Sequence, residues 1–410
     1  MAEFLVLGAG MVGVSTALAL QARGHDVALV DRKAPGRETS YGNAGVIQAE
    51  AAEPYALPRD SATLLRYALG LSNDVTWTAA GAARMAPALW RYFRNSAPAR
   101  HEAISRTYAR LTARATADHA PLIAASGQEN LVAREGLAML FRDPAAFEAA
   151  AADAERVRSL YGTRFRAMDG AAYRREDPAL AADPAGAVHW LDSWSCADPG
   201  ALTAGYADLF ARRGGRALLG DADSLEAAGA GWRVATAEGP VEAAQAVVAL
   251  GPWSPPLLAR FGLRVPMIFK RGVHGHYNAP RLPVRPFLDA ANGVVAAGMV
   301  AGLRVTTGAA LAGRDAPVDL RQLERGARGL SGLIALGPRV EEPQWSGVRP
   351  CLPDMLPLVG PAPGRPGLWL HFGHGHQGFT LGPTTAGILA GMIDGAPEDG
   401  FAALRPEGRI

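Results

Sequence analysis

Phe4-Leu5-Val6-Leu7 is a short apolar run that passes straight into Gly8-Ala9-Gly10-Met11-Val12-Gly13. A helical pattern follows from Val14 to about Arg23, and His25-Asp26-Val27-Ala28-Leu29-Val30 then leads to Asp31. Strand, glycine turn, helix and a second strand ending on an acid make a βαβ unit. Its G-x-G-x-x-G spacing is that of a dinucleotide-binding turn. Gly8 permits the tight turn, Gly10 lets the backbone approach a pyrophosphate, and Gly13 lets the helix settle close to the strand. The N–H groups of the turn and helix start, among them those of Ala9, Met11 and Val12, suit the phosphates together with the positive end of the helix dipole. Asp31 would accept hydrogen bonds from the adenosine ribose and repel a 2′-phosphate. Arg32 beside it counts among the expected cofactor contacts.

The fingerprint fits NAD or FAD. Beginning at residue 4, it leaves the substrate-binding part to come later in the chain. Residues 32–58 form a long segment containing Glu38-Thr39-Ser40-Tyr41-Gly42-Asn43-Ala44-Gly45, followed by Val46. Loops of that length inside a compact domain are usually functional. Small and hydroxylated residues here would let backbone amides pack against a flat ring system and its phosphates.

This loop resembles the flavin loop of the D-amino acid dehydrogenase small-subunit group, within the wider D-amino acid oxidase, glycine oxidase and sarcosine oxidase family of FAD enzymes. Three later stretches agree with the family, in chain order. Val247-Val248-Ala249-Leu250-Gly251-Pro252-Trp253-Ser254 is similar to its strand-turn, bringing in Gly251 and Trp253. Residues 347–360 resemble its G-x-R-P-x-x-P-D-x-x-P-x-x-G segment. Gly373-His374-Gly375-His376-Gln377-Gly378-Phe379-Thr380 resembles its C-terminal flavin motif, which adds Gly373, His374, Gly375, Gln377, Gly378 and Thr380 to the cofactor contacts. The resemblance implies an α/β fold with a Rossmann-like FAD-binding domain and a discontinuous α+β substrate domain. It also implies oxidation of a D-amino acid or a cyclic imino acid, of D-proline or D-hydroxyproline type, by hydride transfer from Cα to flavin N5. Alternatives are an oxidase of sarcosine- or glycine-type amines, or a flavin-binding subunit that only relays electrons. Sarcosine oxidases attach their flavin to a cysteine six residues before the proline of Pro-Asp. That position here is Gly347, and Cys351 is off by four, so non-covalent FAD is expected.

Composition fits such an enzyme. At 410 residues and 49% hydrophobic, the chain can bury large cores and suggests two domains. A formal charge of +2 implies no nucleic-acid partner. Cys196 and Cys351, without C-x-x-C spacing, argue against a disulfide framework or a zinc site. No signal peptide pattern precedes the first strand and no long apolar run exists, so a cytoplasmic location is expected, with peripheral contact at the inner face of the membrane left open. The expected partners are a small amino or imino acid and an electron acceptor: a quinone, an electron-transfer partner or oxygen.

The pattern divides the chain into a cofactor part, residues 1–50, 198–260 and 343–410, and a substrate part, residues 51–197 and 261–342. Apolar spacing predicts helices at 61–69, 75–93, 104–125, 144–161, 199–213, 319–336 and 382–393. Strands are expected at 137–141, 187–191, 216–219, 224–227, 232–237, 246–250, 266–277, 293–299, 303–308 and 368–372. Asp198 is the expected N-cap of the helix from Pro199, and Gly214-Gly215 its stop.

Oxidation at Cα needs a hydride acceptor, a carboxylate anchor and a neutral amine. Arg349, at the arginine of G-x-R-P, is the anchor the resemblance implies, since a guanidinium fork matches a carboxylate. The alternative is a structural pair with an acid such as Asp354. His274 and His276 lie two apart, so on a strand they share a face, and with Tyr277 and Lys270-Arg271-Gly272 they fit the strand that roofs the substrate in relatives. Two solvated surface histidines would fit equally well. Tyr41 and Tyr55 could cap the pocket. His371, His374 and His376 cluster without an accompanying Cys, Asp or Glu, so no metal is expected there. No general base is assigned, because the amine can lose its proton to solvent.

Overall fold

The computed structural model describes residues 2–410. Strand Ala2–Leu7 pairs in parallel with Val27–Asp31 on one side and Gly239–Val248 on the other. Arg216–Ala228 extends the sheet beyond Val27–Asp31, and Leu368–Phe372 extends it beyond Gly239–Val248, both again parallel. Leu358–Pro361 adds an antiparallel edge, and Gly231–Thr236 links Arg216–Ala228 to Gly239–Val248, giving seven strands. Phe4, Leu5, Val6 and Leu7 are all fully buried, which an alternating half-exposed strand could not be. Phe4 and Val6 pack with Val14 and Leu18 of helix Met11–Gln21, Tyr206 and Phe210 of helix Pro199–Arg212, and Leu381 and Ile388 of helix Gly378–Ile393. Leu5 and Leu7 face Trp232, Val234, Leu257 and Leu258 on the other side.

A second, mixed sheet runs in the order Val75–Trp77, Ala309–Leu311, Ile268–Tyr277, Gly302–Thr306, Val294–Met299, Phe287–Asp289, Leu137–Phe141, Gly186–Trp190, Phe165–Asp169. Ser346–Cys351 also pairs with Ile268–Tyr277, so the second sheet takes six residues from the stretch that the sequence assigned to the cofactor part. A small sheet of Val46–Ile47, Trp194–Cys196 and Val132–Ala133 ties down the chain after the first βαβ unit.

Several expected elements shift. The helix expected at 75–93 begins as strand Val75–Trp77, because this segment pairs in parallel with Ala309–Leu311; helix Ala79–Asn95 follows, capped by Thr78, whose hydroxyl accepts from Gly81 N at 3.1 Å. The helix expected at 104–125 is two, Pro98–Thr112 and Ala115–Ser126. The helix expected at 319–336 is only Arg321–Leu330, since Asp319 stays outside to accept from Arg321 N and Ile334 bridges to Leu180. The separate strands at 216–219 and 224–227 form one strand with a bulge between Asp221 and Glu226. The C-terminal helix starts at Gly378 rather than 382. Helix Pro144–Tyr161 and the Asp198 cap, which accepts from Ala201 N at 2.9 Å, stand where the sequence put them.

Candidate active site

The glycine turn is built tightly. Gly8 has φ +107°, and a Cβ on it would fall 2.6 Å from the Ala249 carbonyl oxygen. A Cβ on Gly13 would meet the Gly8 carbonyl oxygen at 1.8 Å, which fixes helix against strand. Gly10 is different: a Cβ there would approach only the Ser40 hydroxyl, at 3.3 Å. The protein itself hardly requires glycine at this position, so the space it spares faces the cavity. Asp31 accepts from Ala9 N at 2.6 Å and from Lys33 N at 3.0 Å, and its carboxylate still borders the cavity. Ser40 accepts from Met11 N at 2.9 Å. The Thr39 hydroxyl is buried on the cavity wall without a partner among the described residues. Arg32 pairs with Glu38 at 2.7 Å and lies 4.5 Å from the centre of the Trp253 ring.

These groups line a cavity of about 680 Å³ between the two sheets. Of the residues expected from sequence, Gly8, Gly10, Met11, Val12, Asp31, Arg32, Thr39, Ser40, Asn43, Ala44, Val46, Gly251, Trp253, Arg349, Gly373, His374, Gly375 and Gly378 border it. Ala9, Gly13, Gly45, Gln377 and Thr380 stand behind the wall and hold it. Gly45 has φ +70° and lies against the Cys196 carbonyl, Gln377 donates to the Gln48 amide oxygen at 2.9 Å, and Thr380 donates to Val46 O at 3.2 Å. Two helix N-termini meet here, at Met11 and Gly378. Gly382 makes this possible, since a Cβ there would come within 2.9 Å of Met11 Cγ. Glycine cradle, acid, orphaned hydroxyl and paired helix ends suit a dinucleotide carrying a flat ring system.

At the other end, Arg349 stands opposite Lys270 on paired strands. Its guanidinium donates to Gly308 O at 2.6 Å and Thr307 O at 3.1 Å. It lies over Gly272, where a Cβ would sit 2.8 Å from Nη2. The suggested pairing with Asp354 does not occur: that carboxylate is held by Arg409 at 2.7 Å. Lys270 donates to Tyr92 OH at 3.1 Å. Burial works against its ammonium, but Cys351 and Tyr92 hold its pKa above the ordinary value. His376, against the Tyr55 ring at 4.9 Å, is pulled down to about 3 by burial and by the charges of Arg349 and Lys270, so it is neutral at neutral pH. Lys270 was expected only as part of the strand roofing the substrate, and His376 only within the C-terminal flavin motif; neither was singled out for its charge or its place beside Arg349. The neighbourhood of Lys270 and Arg349 is a strand pairing across distant segments, which no local motif marks.

The roof residues expected from sequence, His274, His276 and Tyr277, lie off the cavity wall. None borders the cavity, whose wall on this strand ends with Gly272 and Val273. His274 shares the face of Lys270 but is covered by Trp345, stacked on it at 4.8 Å. His276 is buried between Glu342 and Arg304, and Tyr277 sits at the strand end, bridging to Arg339. The two histidines are not solvated either. Nor do His371 and His374 point to a metal: His371 bonds Thr16 and Thr385 at 2.7 and 2.8 Å, and His374 bonds Thr385 at 2.9 Å. At Gly347, the position of the sarcosine oxidase attachment cysteine, a Cβ would fall 2.3 Å from the Trp345 ring.

Comparison with known proteins agrees with this architecture. The family model described as FAD dependent oxidoreductase matches residues 3–392. A D-amino acid dehydrogenase of Cereibacter sphaeroides is 32% identical over 407 residues, covering 97% of this chain and 93% of that protein. Among solved structures, glycine oxidase from Geobacillus kaustophilus superposes with a TM-score of 0.73 at 20% identity, covering 100% of this chain and 99% of its own. Iminodiacetate oxidase from a Chelativorans species gives 0.72 at 22% identity, covering 98% and 99%. No helix among the described residues is long and apolar enough to cross a membrane. With its glycine cradle, its two-sheet cavity and a family match over almost its whole length, the chain belongs to the FAD-dependent oxidoreductase family of the D-amino acid oxidase type.

Proposed function

We propose that the protein oxidises a D-amino acid or a small cyclic imino acid, with Arg349 holding the substrate carboxylate. The supporting observation is that Arg349 borders the cavity with two backbone carbonyls as its partners and no carboxylate on it. Bound FAD supplies the hydride acceptor for the Cα–H bond. Asp31, Thr39, Ser40 and the turn at Gly8–Gly13 would hold its adenosine and phosphate end, and the turns at Asn43–Val46 and Gly373–Gly378 its ring. Non-covalent attachment is supported by the Trp345 ring over Gly347.

Arg349 orients the substrate so that Cα faces the cofactor. Lys270 adds a second cation, which favours the anionic carboxylate at this end. Neutral His376 and Tyr55 offer an apolar flank. Leu57, Tyr92, Ile268, Leu311 and Met355 complete a wall that suits an aliphatic or small-ring side chain. The amine reaches the site after losing its proton to water, so no side-chain base is required. The two sheets support a division into cofactor and substrate parts, with 346–351 moved to the latter.

An anaerobic panel of D- and L-amino acids, including proline, sarcosine and glycine, tests this reading by loss of flavin absorbance. D-Configured substrates should bleach the flavin. Bleaching by L-amino acids alone would overturn the assignment, and no bleaching by any amine would leave only electron relay.

The same reading extends to the acceptor side. Leu65, Leu69, Leu71, Trp77 and Trp90 are 46–65% exposed, and residues 59–100 hold six arginines against two aspartates and no other charged residue. Helix Ser61–Ala68 buries none of its residues. Apolar and aromatic side chains among arginines match an anionic lipid surface. Tyr67 and Leu89 of this segment border the cavity, so a lipid-dissolved acceptor such as a quinone would arrive close to it.

A further inference from the structure

We infer that Arg304 is a positioning residue for the cofactor-facing loop, oriented by His276 and Glu342; the inference rests on the FAD reading of the cavity. Arg304 lies on strand Gly302–Thr306 and is 3% exposed. Its Nη1 donates to the carbonyls of Tyr41 at 3.0 Å and Asn43 at 2.6 Å, and its Nε donates to His276 Nε2 at 3.0 Å. Because His276 accepts on Nε2, it carries its proton on Nδ1, and the Glu342 carboxylate accepts that proton's hydrogen bond at 2.7 Å. Glu342 also accepts from His276 N at 3.2 Å, so the ring and its strand are gripped together. A chain of three side chains thus runs from a partly exposed acid to two backbone carbonyls of the loop.

The loop is held from a second direction by Trp345. A Cβ on Gly42 would lie 2.0 Å from that ring, which in turn stacks on His274. With the Tyr41 and Asn43 carbonyls turned to Arg304, the stretch Gly42, Asn43 and Ala44 forms part of the cavity wall. Without Arg304, two carbonyls on the sheet side would lose charged donors, and the loop would lose its fixed orientation. His274, His276 and Glu342 do have ligand atoms within 4.8 Å of one another, as a metal would need. The Arg304 guanidinium on His276 brings a positive charge to that spot, which favours the relay over a cation.

The test is titration of apoprotein with FAD, followed by quenching of flavin fluorescence. Arg304→Met should raise the FAD dissociation constant by about ten- to a hundredfold, the loss expected for hydrogen bonds from a charged donor. Arg304→Lys should recover part of it, because a single ammonium cannot serve both carbonyls and His276. In the apoprotein, trypsin should cut faster after Lys33 and Arg37, which are exposed just before the loop, while the melting temperature stays near wild type. Glu342→Ala removes the acceptor that fixes the His276 tautomer and should weaken FAD by about three- to tenfold. If Arg304→Met does not fold, Glu342→Ala decides. Dissociation constants within about twofold of wild type would overturn the relay. Failure of the wild-type apoprotein to bind FAD would instead overturn the cofactor reading itself.

Discussion

Gly272 and Arg349 show how one missing side chain can serve a site elsewhere. The guanidinium occupies the space that a Cβ on residue 272 would need, at 2.8 Å from Nη2. Gly272 borders the cavity within a strand, and the clash would be with the far end of a flexible side chain rather than with backbone. Gly272→Ala should therefore fold and bind flavin normally but push the anchor aside. Steady-state kinetics should report a higher KM for the amino acid, by roughly tenfold for a displaced charge-assisted contact. An unchanged KM would mean that the guanidinium does not contact substrate. Gly10 makes the complementary point: its lack of a side chain is explained by the cavity rather than by the protein around it.

At the scale of elements, the segment from Ser61 to Asn95 carries the exposed apolar and arginine-rich face. If its exposed face docks on lipid, the protein should float with vesicles containing anionic phospholipid and remain behind with neutral ones, falling away as salt is raised. Leu65→Ser combined with Trp90→Ser should abolish flotation without changing flavin content. Equal behaviour with both vesicle types would contradict the proposal. The same segment was only partly legible in the sequence. Val75–Trp77 continues the apolar spacing of the helix after it, and what makes it a strand is pairing with Ala309–Leu311, which no local pattern reveals. Helix Pro144–Tyr161 was legible to the residue because its signals are local: Asp143 caps it, Pro144 opens it, and Gly162 at φ +75° closes it. The cavity lining from Gly8 to Val12 and from Thr39 to Val46 was legible for the same reason, since its motifs are short and contiguous. The substrate end was not. The alternation rule put His274 and His276 on one face, but where the cavity stops depends on Trp345, far along the chain. Arg304 escaped notice because its partners, the Tyr41 and Asn43 carbonyls and His276, lie in two segments far from it in the chain.

Across the whole molecule, an unusual share of the histidines is buried and neutral. Burial lowers His119 to about 4, His374 and His376 to about 3 and His274 to about 2, and His371 lies well below its ordinary value. In the unfolded chain these imidazoles take up protons near their ordinary pKa. The unfolded state therefore binds more protons once the pH falls below about 6.5, and the stability that neutral histidines contribute above that pH is progressively lost. Glu50 and Asp177, raised by burial, act in the opposite sense, as two carboxyls against these five imidazoles. Urea midpoints should accordingly fall between pH 7 and pH 5; a flat profile would contradict the neutral-histidine picture. If Arg349 anchors a substrate carboxylate beside the flavin, the anaerobic rate of flavin reduction, per bound flavin, in wild type and Arg349→Ala reports it most directly. Truncating one partner of a partly desolvated charge pair costs about 2–5 kcal/mol, a loss of roughly 30-fold to several thousand-fold in kcat/KM. That loss is expected with flavin content and melting temperature near wild type. Near-wild-type reduction of the alanine variant by a D-amino acid, or loss of bound flavin with unchanged turnover per flavin, would contradict it.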